Sequence, residues 1–338
     1  MTAPRSGSAW DEVTRRLLGL ADGREVHVEV DAPLGAATTY RVGGTAAVRV
    51  GVGSIDALCA VAIEIAGTAA VDGLATEVVI LGRGSNLLVA DGLHDVICLI
   101  ATGSLDEIVI DGDQVRLGAG VLLPVAARRT AAAGLGGFEW AVGVPGTIGG
   151  AAVMNAGGHG SDMAASLVEV HLVDLSDGQT RSVAAASLEL GYRHSTIGPA
   201  EMITGVTLSL IERTVAEAEA EISEIVAWRR QHQPGGANAG SVFTNPPGDS
   251  AGRLIERAGL SGFTIGGASV STRHSNFIQT EPGASAADVL AVMGHVADTV
   301  ERRTGVKLVT ETRTVGFSDH QRAGVRARSA VGTIGGGA

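Results

Sequence analysis

The sequence predicts an α+β protein with two or three domains, and three observations lead to this prediction. The chain has 338 residues, which is more than one hydrophobic core usually serves. Its first two thirds consist largely of short apolar, strand-like runs separated by glycine turns. A long stretch with helical periodicity begins near residue 213, and such segregation of strands and helices is typical of α+β folds.

The β-rich part of the chain contains two hairpin signals and one intervening helix. The dipeptides Asp111-Gly112 and Asp177-Gly178 each stand between two apolar runs, where such dipeptides form tight turns. The residues from 54 to 70 are apolar enough and long enough to form a helix between two strands. We therefore expect antiparallel pairing around both hairpins.

The last third of the chain is expected to be mainly helical. Residues 213–231 carry apolar residues at helical spacing, with acidic residues early and arginines late, as the helix dipole prefers. Ser285 and Asp288 form the capping box of a later helix, which should end at Gly305. A final strand is expected over KLVTETRTVGF (307–317), followed by a disordered tail.

Charge and composition exclude several classes of protein. A net charge of −11 disfavours nonspecific binding to nucleic acid or anionic lipid, so an anionic ligand would need a locally built positive site. No apolar run approaches the roughly 20 residues of a membrane-spanning helix, and the first residues lack the pattern of a secretory signal. We therefore expect a soluble, cytoplasmic protein. Cys59 and Cys98 lie in apolar runs and should be core residues.

Two glycine-rich loops follow predicted strands. In LGRGSNLLVADG (81–92), backbone N–H groups could face a pyrophosphate, and VGVPGTIGGAAVMNAGGHG (142–160) concentrates glycines around a proline. Neither loop has a dinucleotide-fold fingerprint or the phosphate-binding G-x-x-x-x-G-K-[ST] pattern. Turns and bulges explain either loop equally well when it is taken alone. Together they indicate a large phosphate-bearing cofactor.

Three polar segments stand out, although each has an ordinary structural explanation. In GYRHS (191–195) a tyrosine and an arginine could form a surface pair, and the serine of AGSVFTNP (239–246) could cap a turn. Glu311 lies on the same predicted strand face as Arg313, which favours a local salt bridge. The scattered histidines predict no metal site, and the absence of G-x-S-x-G disfavours a Ser-His-Asp hydrolase.

Taken in order, eight motifs resemble those of the UDP-N-acetylenolpyruvoylglucosamine reductase (MurB) family over residues 30–317. The motifs are TTYRVGG, LGRGSNLLVADG, GVPGTIGGAAVMNAG, YRHS, GSVFTNP, AGRLIERAGLSG, GGASVSTRHSNFI and ETRTVG. One motif alone is weak evidence, but eight in the right order are highly specific. The short segment between the fourth and fifth motifs resembles the compact branch, which lacks an extra tyrosine loop.

The resemblance implies a fold and a division into domains. It implies an FAD-binding module of the vanillyl-alcohol-oxidase (PCMH) type, built from two α+β subdomains, and a C-terminal α+β domain that binds the UDP sugar. The expected parts are an N-terminal lead with a short helix (1–24), FAD-binding subdomain 1 (25–100), FAD-binding subdomain 2 (101–212), the substrate domain (213–317) and the tail (318–338).

The resemblance also implies site residues. The catalytic residues of the family correspond to Arg193, Ser241 and Glu311. Substrate-binding residues are expected at Tyr192, Asn245, Arg273 and His274. Cofactor-binding residues are expected at Gly82, Arg83, Gly84, Ser85, Asn86, Gly143, Pro145, Gly146, Thr147, Gly149, Gly150 and Asn155, and no metal site is expected. Thr244 stands where the family usually has lysine, which puts a phosphate contact there in doubt.

The activity implied by the resemblance is the NADPH-dependent reduction of UDP-N-acetylglucosamine enolpyruvate to UDP-N-acetylmuramate through bound FAD, a step of peptidoglycan precursor synthesis. The implied partners are the enolpyruvyl sugar and NADPH, with no nucleic acid or membrane, and we expect a monomer. Two alternatives stay open at this point. One is a related FAD oxidase that acts on a small alcohol or lactone, and the other is a non-catalytic UDP-sugar-binding protein with the same fold.

Overall fold

A computed structural model describes residues 9–21, 23–72 and 75–335 of the chain. Helices are interspersed among the strands along these ranges, and most strands lie in the first two thirds. The helices are α1 Ala9–Leu20, α2 Ile55–Asp72, α3 Leu123–Ala132, α4 Ile148–Val153, α5 Val215–His232, α6 Ala251–Arg257, α7 Ala286–Thr304 and α8 Asp319–Val325. None of these described helices is both long and apolar enough to cross a lipid bilayer.

The strands fall into three larger sheets and three two-stranded ones. The first ten are β1 Val26–Pro33, β2 Thr45–Val52, β3 Thr76–Ile80, β4 Leu87–Val89, β5 Leu93–Ala101, β6 Ile108–Asp111, β7 Gln114–Gly118, β8 Leu135–Gly136, β9 Gly157–Gly158 and β10 Ser161–Asp162. The others are β11 Leu167–Asp174, β12 Thr180–Ala184, β13 Glu201–Ser209, β14 Ile211–Glu212, β15 Ala237–Asn238, β16 Thr264–Ile265, β17 Ala268–Val270, β18 Ile278–Thr280, β19 Arg313–Val315 and β20 Val331–Ile334.

The first sheet has the strand order β1-β2-β5-β3-β20. Strands β2 and β3 both run parallel to β5, and the helix between them, α2, covers one face. Its side chains pack with α1 and with the apolar face of β2 around residues such as Leu17, Leu58 and Val50, which are fully buried. Strands β3 and β5 are parallel neighbours. The loop that follows β3 begins next to the cavity described below.

The second sheet is antiparallel, with the order β12-β11-β13-β7-β6. Helices α3 to α5 and the apolar residues between them cover it and form the largest buried cluster of the described residues, in which Phe138 and Trp140 meet edge to face with ring centroids 5.3 Å apart. A third sheet, β15-β18-β17-β16, packs with α6 and α7 in another core. This core also contains Tyr40 and Leu88 from the first third of the chain.

The local predictions are confirmed where a short motif determines the structure. Gly112 and Gly178 lie in the tight turns of hairpins β6–β7 and β11–β12, with φ of 60° and 73°. Ser285 and Asp288 form a complete capping box at the start of α7, and Gly305 ends that helix in the left-handed conformation. Cys98 is buried in the core, whereas Cys59 is only partly buried at its edge.

Two predictions about the C-terminal part of the chain are wrong. The strand expected over residues 307–317 is reduced to the three residues of β19, because the preceding residues bond to loops and not to a neighbouring strand. In the tail expected to be disordered (318–338), the described residues up to 335 include α8 and β20, and β20 pairs antiparallel with β3 at the edge of the first sheet. Residues 336–338 lie outside the described residues. The chain therefore returns from its last core to the first one.

The expected division into domains stays a prediction, and the sheets agree with it in part. Most strands of the first sheet precede residue 101, the second sheet lies within residues 101–212, and the third sheet follows residue 212. Two pairings cross these divisions: β20 joins the first sheet, and β19 pairs parallel with β4. The C-terminal residues therefore connect the last part of the chain to the first part.

Candidate active site

A cavity of about 700 Å³ opens where the three sheets meet. It receives residues from the loop after β3, from the segment between β8 and α4, from the turn before β13, and from both sides of β19. Ligand pockets of small molecules and cofactors typically have volumes of about 300–1,000 Å³. The size of the cavity therefore suits a large cofactor or a cofactor together with a substrate.

Both glycine-rich loops of the sequence line one side of this cavity, here called the glycine wall. Its members are Gly82, Arg83, Gly84, Ser85 and Asn86 of the first loop and Gly143, Pro145, Gly146, Thr147, Gly149 and Gly150 of the second. The loops pack directly on each other, since a Cβ on Gly82 would clash with the hydroxyl of Thr147. Gly84 has a φ of 64° and approaches Thr38 so closely that an added Cβ would lie 2.6 Å from its Cα atom. Packing of the loops on each other and on Thr38 thus requires glycine at these two positions.

A tight turn carries Arg193 to the same cavity. Gly191 and His194 exchange backbone hydrogen bonds of 3.1 Å each, which leaves Arg193 at the tip with a φ of 55°. Asn155 donates from its side-chain amide to the carbonyl of Gly191 at 3.0 Å, and the hydroxyl of Ser195 donates to the carbonyl of Val153 at 2.7 Å. A left-handed arginine costs energy that the surrounding bonds must offset, so the turn is held in this position by its neighbours.

Glu311 is the partner of Arg193. The Nε atom of Arg193 donates to Oε1 of Glu311 at 2.6 Å, although 118 residues separate the two in the chain. The backbone of Glu311 is fixed on both sides: its N–H donates to the carbonyl of Val242 at 2.7 Å, and its carbonyl accepts from the side chain of Asn86 at 3.2 Å. The expected local salt bridge with Arg313 does not form, because residues 308–312 do not make a regular strand and the carboxylate points toward Arg193 instead.

The second oxygen of this carboxylate, Oε2, is buried and has no hydrogen-bond partner in the described part of the chain. Burial raises the pKa of Glu311 above its ordinary value of 4.5, and the charge and hydrogen bond of Arg193 offset only part of that rise. A buried, unsatisfied carboxyl oxygen is costly unless a proton or a ligand group satisfies it. The side chain is therefore suited to hold a proton at Oε2 while Arg193 occupies Oε1.

Ser241 completes this side of the cavity, and we call Arg193, Ser241 and Glu311 together the charged corner. All three line the same cavity, although they come from three separate segments. Ser241 directly precedes Val242, whose backbone groups bond to both Glu311 and Asn276. The sequence motifs that carry these three residues are thus brought together by backbone pairing between the segments.

Two half-buried arginines of the cavity were not singled out from the sequence. Arg229 near the end of α5 and Arg313 at the start of β19 both line it, and burial lowers the pKa of each. The side chain of Arg229 donates to Oε1 of Gln233 at 2.7 Å, an uncharged partner. With Arg83 and Arg193 they give the cavity four guanidinium groups, which fits the local positive site expected for an anionic ligand in an acidic protein.

Each of these two arginines has an ordinary explanation in the sequence. A basic residue such as Arg229 is common in the last turn of a surface helix, where it suits the helix dipole, and Arg313 is a neighbour of Glu311 on the predicted strand. In the structure both residues line the cavity, burial lowers the pKa of each, and among the described residues neither forms an ion pair with a carboxylate.

Four predicted substrate residues lie outside the lining of the cavity. Tyr192 is 58% exposed, stacks under the guanidinium of Arg193, and accepts a long 3.5 Å hydrogen bond from the backbone of Asn245. The side chain of Asn245 accepts from the N–H of Ala251 at the start of α6. Both residues lie at the surface next to the charged corner, and their contact with a substrate stays a prediction.

Arg273 and His274 have mainly structural partners. The guanidinium of Arg273 donates to the carbonyls of Arg230 and Gln233 at 3.1 and 3.3 Å, and so caps the C-terminal end of α5. The His274 ring packs on Phe277, and burial lowers its pKa. These contacts explain both side chains without a substrate, and their predicted binding role has no support from their position.

Asn155 and Thr244 also differ from what their motifs led us to expect. Asn155 is buried and does not line the cavity, because its side chain bonds to Gly191, Asp162 and Ala164 and supports the turn of Arg193. The hydroxyl of Thr244, at the position where lysine was expected, donates to the carbonyl of Val309 at 3.2 Å. Asn155 therefore acts on the site indirectly.

Comparisons with known proteins agree with this architecture. The FAD binding domain family matches residues 46–184, and the C-terminal domain family of UDP-N-acetylenolpyruvoylglucosamine reductase matches residues 231–315. The first match contains the glycine wall and the second contains Ser241 and Glu311, whereas Arg193 lies between the two. The predicted FAD-binding module and C-terminal domain are thus confirmed, as is the α+β fold class.

Full-length relatives extend these matches. The chain is 41% identical over 288 residues to UDP-N-acetylenolpyruvoylglucosamine reductase 2 of Symbiobacterium thermophilum, covering 85% of this chain and 91% of that protein. It is 36% identical over 300 residues to the reductase of Bacillus subtilis, covering 87% and 96%. The crystal structure of the reductase (MurB) from Thermus caldophilus superimposes with a TM-score of 0.72 at 34% identity, covering 86% and 98%. The chain belongs to the UDP-N-acetylenolpyruvoylglucosamine reductase (MurB) family.

Proposed function

We propose that this protein reduces UDP-N-acetylglucosamine enolpyruvate to UDP-N-acetylmuramate, with FAD as cofactor and NADPH as reductant. One observation carries the proposal: the charged corner and the glycine wall line a single cavity, and among the described residues one buried oxygen of the Glu311 carboxyl group has no hydrogen-bond partner. A purely structural ion pair would satisfy both carboxylate oxygens. The free oxygen and the neighbouring hydroxyl of Ser241 instead fit a site that handles a proton during a reaction.

The residues present fit a bound FAD. The glycine wall consists of two closely packed loops, and at its glycines a flat ring or a pyrophosphate could approach the backbone. The guanidinium groups that line the cavity supply positive charge in a protein with a net charge of −11. Gly82 to Asn86 would hold the pyrophosphate, and Gly143 to Gly150 would border the flavin ring.

The reaction needs a hydride at the β-carbon of the enolpyruvyl group and a proton at its α-carbon. Bound FAD would supply the hydride chemistry, with NADPH as the source of its two electrons. Arg193 binds the substrate carboxylate and stabilises the negative charge that develops there when the hydride adds, since a guanidinium stays charged and offers a planar pair of donors. Its partner Glu311 and its supported turn keep it oriented before the substrate arrives.

The proton is assigned to Ser241, with Glu311 as a neighbouring acid. The Ser241 hydroxyl is placed at the cavity surface and would donate its proton to the α-carbon. A hydroxyl is a weak acid, so the Ser241 alkoxide that forms must take up a proton from another acid. The raised pKa of Glu311 makes its carboxyl group a proton carrier beside the developing enolate, and Arg193 stabilises it again when it loses the proton.

The test separates the two half-reactions in the purified protein. A visible spectrum should show bound flavin, which NADPH bleaches and the enolpyruvyl sugar restores. Ser241→Ala should still be bleached by NADPH, whereas reoxidation by the sugar should slow by about 10²–10⁴-fold, the range for losing one proton donor. Ser223→Ala, which removes an exposed serine hydroxyl from α5, is the matched control and should behave like the wild type.

The alternatives give different results in the same experiment. An FAD oxidase would be reoxidised rapidly by oxygen and would not depend on NADPH. A non-catalytic sugar-binding protein would be colourless after purification. Failure of flavin reduction in Ser241→Ala, equal to the failure of reoxidation, would contradict the role given to Ser241.

We also propose that the enzyme works as a monomer in the cytoplasm. Every residue of the charged corner and of the glycine wall comes from one chain, so catalysis needs no second copy. Its proposed substrates, a nucleotide sugar and NADPH, are cytoplasmic metabolites. Light scattering coupled to size exclusion should give one chain per particle at micromolar concentration, and a stable dimer would contradict the proposed monomer.

A further inference from the structure

The C-terminal residues 326–334, here called the C-terminal strap, lie beyond the family motifs and beyond the matched C-terminal domain, which ends at residue 315. The strap leaves the core of the last domain and crosses to the first sheet. The strap runs along the cavity wall, and no sequence motif predicted this position.

Both ends of the strap are firmly anchored. At its start, Val325 is buried in the core with α7, and Arg326 forms an ion pair with Glu301 and donates to the carbonyl of Leu308 at 3.3 Å. At its end, β20 pairs with β3 over four residues, and Ile334 is buried in the core of the first sheet. The strap therefore ties the last core to the first.

The middle of the strap follows β19 and reaches the cavity. The N–H of Thr314 donates to the carbonyl of Arg328 at 2.9 Å, and the N–H of Ala330 donates to the carbonyl of Thr314 at 2.8 Å. Ala330 lines the cavity together with Arg313, the residue before Thr314. The strap thus forms part of the wall itself, and it does so with a small side chain.

The position of Ala330 relates this part of the wall to the glycine wall. Because Val331 pairs with Val79, the antiparallel register places Ala330 beside Ile80, and Ile80 also lines the cavity. Leu81 and Gly82 follow Ile80 at once, so Ala330 adjoins the start of the loop assigned to the pyrophosphate. Arg328 is exposed and close enough to Arg313 for its charge to act on that group. This side of the cavity therefore favours a phosphate-bearing part of a ligand.

We propose that the C-terminal strap is a part of the cofactor site, where it closes the wall beside the pyrophosphate loop and retains FAD. The proposal rests on the proposed function, because the ligand is the FAD which that function requires. The strap acts by shape and by backbone position: Ala330 leaves room for the cofactor, and β20 holds β3 and the loop that follows it. Loss of the strap should release FAD without removing any residue of the charged corner.

The test is the dissociation constant of FAD, measured by quenching of flavin fluorescence when FAD is added to apoprotein. Two variants alter the strap: a deletion of residues 327–338, and Ala330→Phe, which fills the wall with a ring. Two matched controls leave the wall intact: Thr333→Ala and Thr333→Phe, the second of which adds the same ring to an exposed position of β20. Thermal unfolding of each apoprotein accompanies the titrations.

We expect the deletion of residues 327–338 and Ala330→Phe to weaken FAD binding by about tenfold or more, and both controls to stay within about twofold of the wild type. Ala330→Phe decides the question if the larger deletion unfolds the apoprotein. Wild-type affinity in Ala330→Phe, or equal weakening in Thr333→Phe, overturns the proposal. A wild-type protein that binds no FAD contradicts the proposed function itself, so the two failures are distinguishable.

Discussion

The glycine wall and the charged corner line one cavity, but they are built in opposite ways. The wall consists of backbone from two neighbouring loops that pack on each other, with Gly82 against Thr147. The corner consists of side chains from three segments, and Arg193 and Glu311 meet over 118 residues of sequence. Changes in the wall should therefore affect cofactor binding and folding, whereas changes in the corner should affect turnover with the cofactor still bound.

The largest effect should follow from removing the guanidinium of the charged corner. Arg193→Ala should lower kcat by about 10²–10³-fold, the cost of losing one group that stabilises developing negative charge. The FAD content should match the wild type, because Arg193 belongs to the corner and not to the glycine wall. Stopped-flow measurement of the two half-reactions and the absorbance ratio of flavin to protein test both statements.

Arg193→Lys sharpens the result, since lysine keeps the charge but cannot donate through a planar fork. It should recover only part of the lost rate. Loss of FAD in both variants, to the same extent as the loss of rate, would break the distinction between corner and wall.

The second largest effect is expected for a substitution in the glycine wall. Gly84→Ala places a Cβ 2.6 Å from the Cα atom of Thr38 at a φ of 64°. Left-handed strain and overpacking together should lower the free energy of unfolding by about 2–3 kcal/mol, and the FAD that copurifies should fall with it. Chemical denaturation and flavin content are the measurements.

Gly112→Ala is the matched control for this substitution. Gly112 has nearly the same φ of 60°, but it has open space around the position of a Cβ. Only the conformational strain remains there, so the free energy of unfolding should fall by about 1–2 kcal/mol and the FAD content should not change. If both variants lost FAD equally, the close packing of the wall would not be what holds the cofactor.

A smaller effect is expected for Arg229, which lines the cavity but belongs to neither the wall nor the corner. Its guanidinium has Gln233 as a partner and no carboxylate that offsets its burial, so we expect it to bind an anionic group of the UDP sugar. Arg229→Ala should raise the KM for the sugar by about tenfold, which corresponds to about 1.4 kcal/mol, and should change kcat little.

The exposed neighbour on the same helix, Arg230, provides the control. Arg230→Ala should leave KM and kcat unchanged, because this side chain does not line the cavity. A fall in kcat at constant KM for Arg229→Ala would instead place Arg229 in the corner. A rise in the KM for NADPH alone would show that Arg229 binds an anionic group of NADPH and not of the sugar.

The sequence motifs brought most of the predicted catalytic and cofactor residues to one cavity, but not the four predicted substrate residues, and the roles of all of them stay predictions. The motifs located the three residues of the corner and all but Asn155 of the predicted cofactor residues on one cavity, since motifs preserve chemistry over long distances. They did not reveal that Glu311 would pair with Arg193 and not with Arg313. Strand alternation gave the wrong partner, because residues 308–312 follow loop contacts that no local pattern encodes.

The C-terminal tail is the second region in which the structure differs from the prediction. Its glycines and its lack of periodicity predicted disorder, since a short segment of this kind cannot stabilise a strand alone. The free edge of β3 supplies the partner, and Ile334 is buried at that edge. A strand that depends on pairing with a residue more than two hundred positions away is not visible in its own sequence. The position of Arg229 in the cavity could not be predicted for the same reason, because its environment is formed by loops distant in the chain.

The smallest predicted effect concerns the pH dependence of stability. Burial raises the pKa of Glu311 above 4.5, and Arg193 offsets this only in part, so the folded state binds a proton that the unfolded state releases more readily. This group therefore contributes stability below its unfolded pKa, and the contribution is lost as the pH rises through the folded pKa. The unfolding free energy of the wild type minus that of Glu311→Gln should accordingly decrease as the pH rises above about 4.5.

Glu12 in α1 gives the opposite sign and serves as the control. Hydrogen bonds from Arg15 and Arg16 lower its pKa, so its contribution is present above the unfolded pKa and is lost as the pH falls through the folded pKa. The difference between the wild type and Glu12→Gln should therefore increase as the pH rises toward and past 4.5. Denaturation series at several pH values measure both differences. Parallel slopes for the two variants would show that the carboxyl group of the charged corner is an ordinary surface acid, and its assignment as a proton carrier would be wrong.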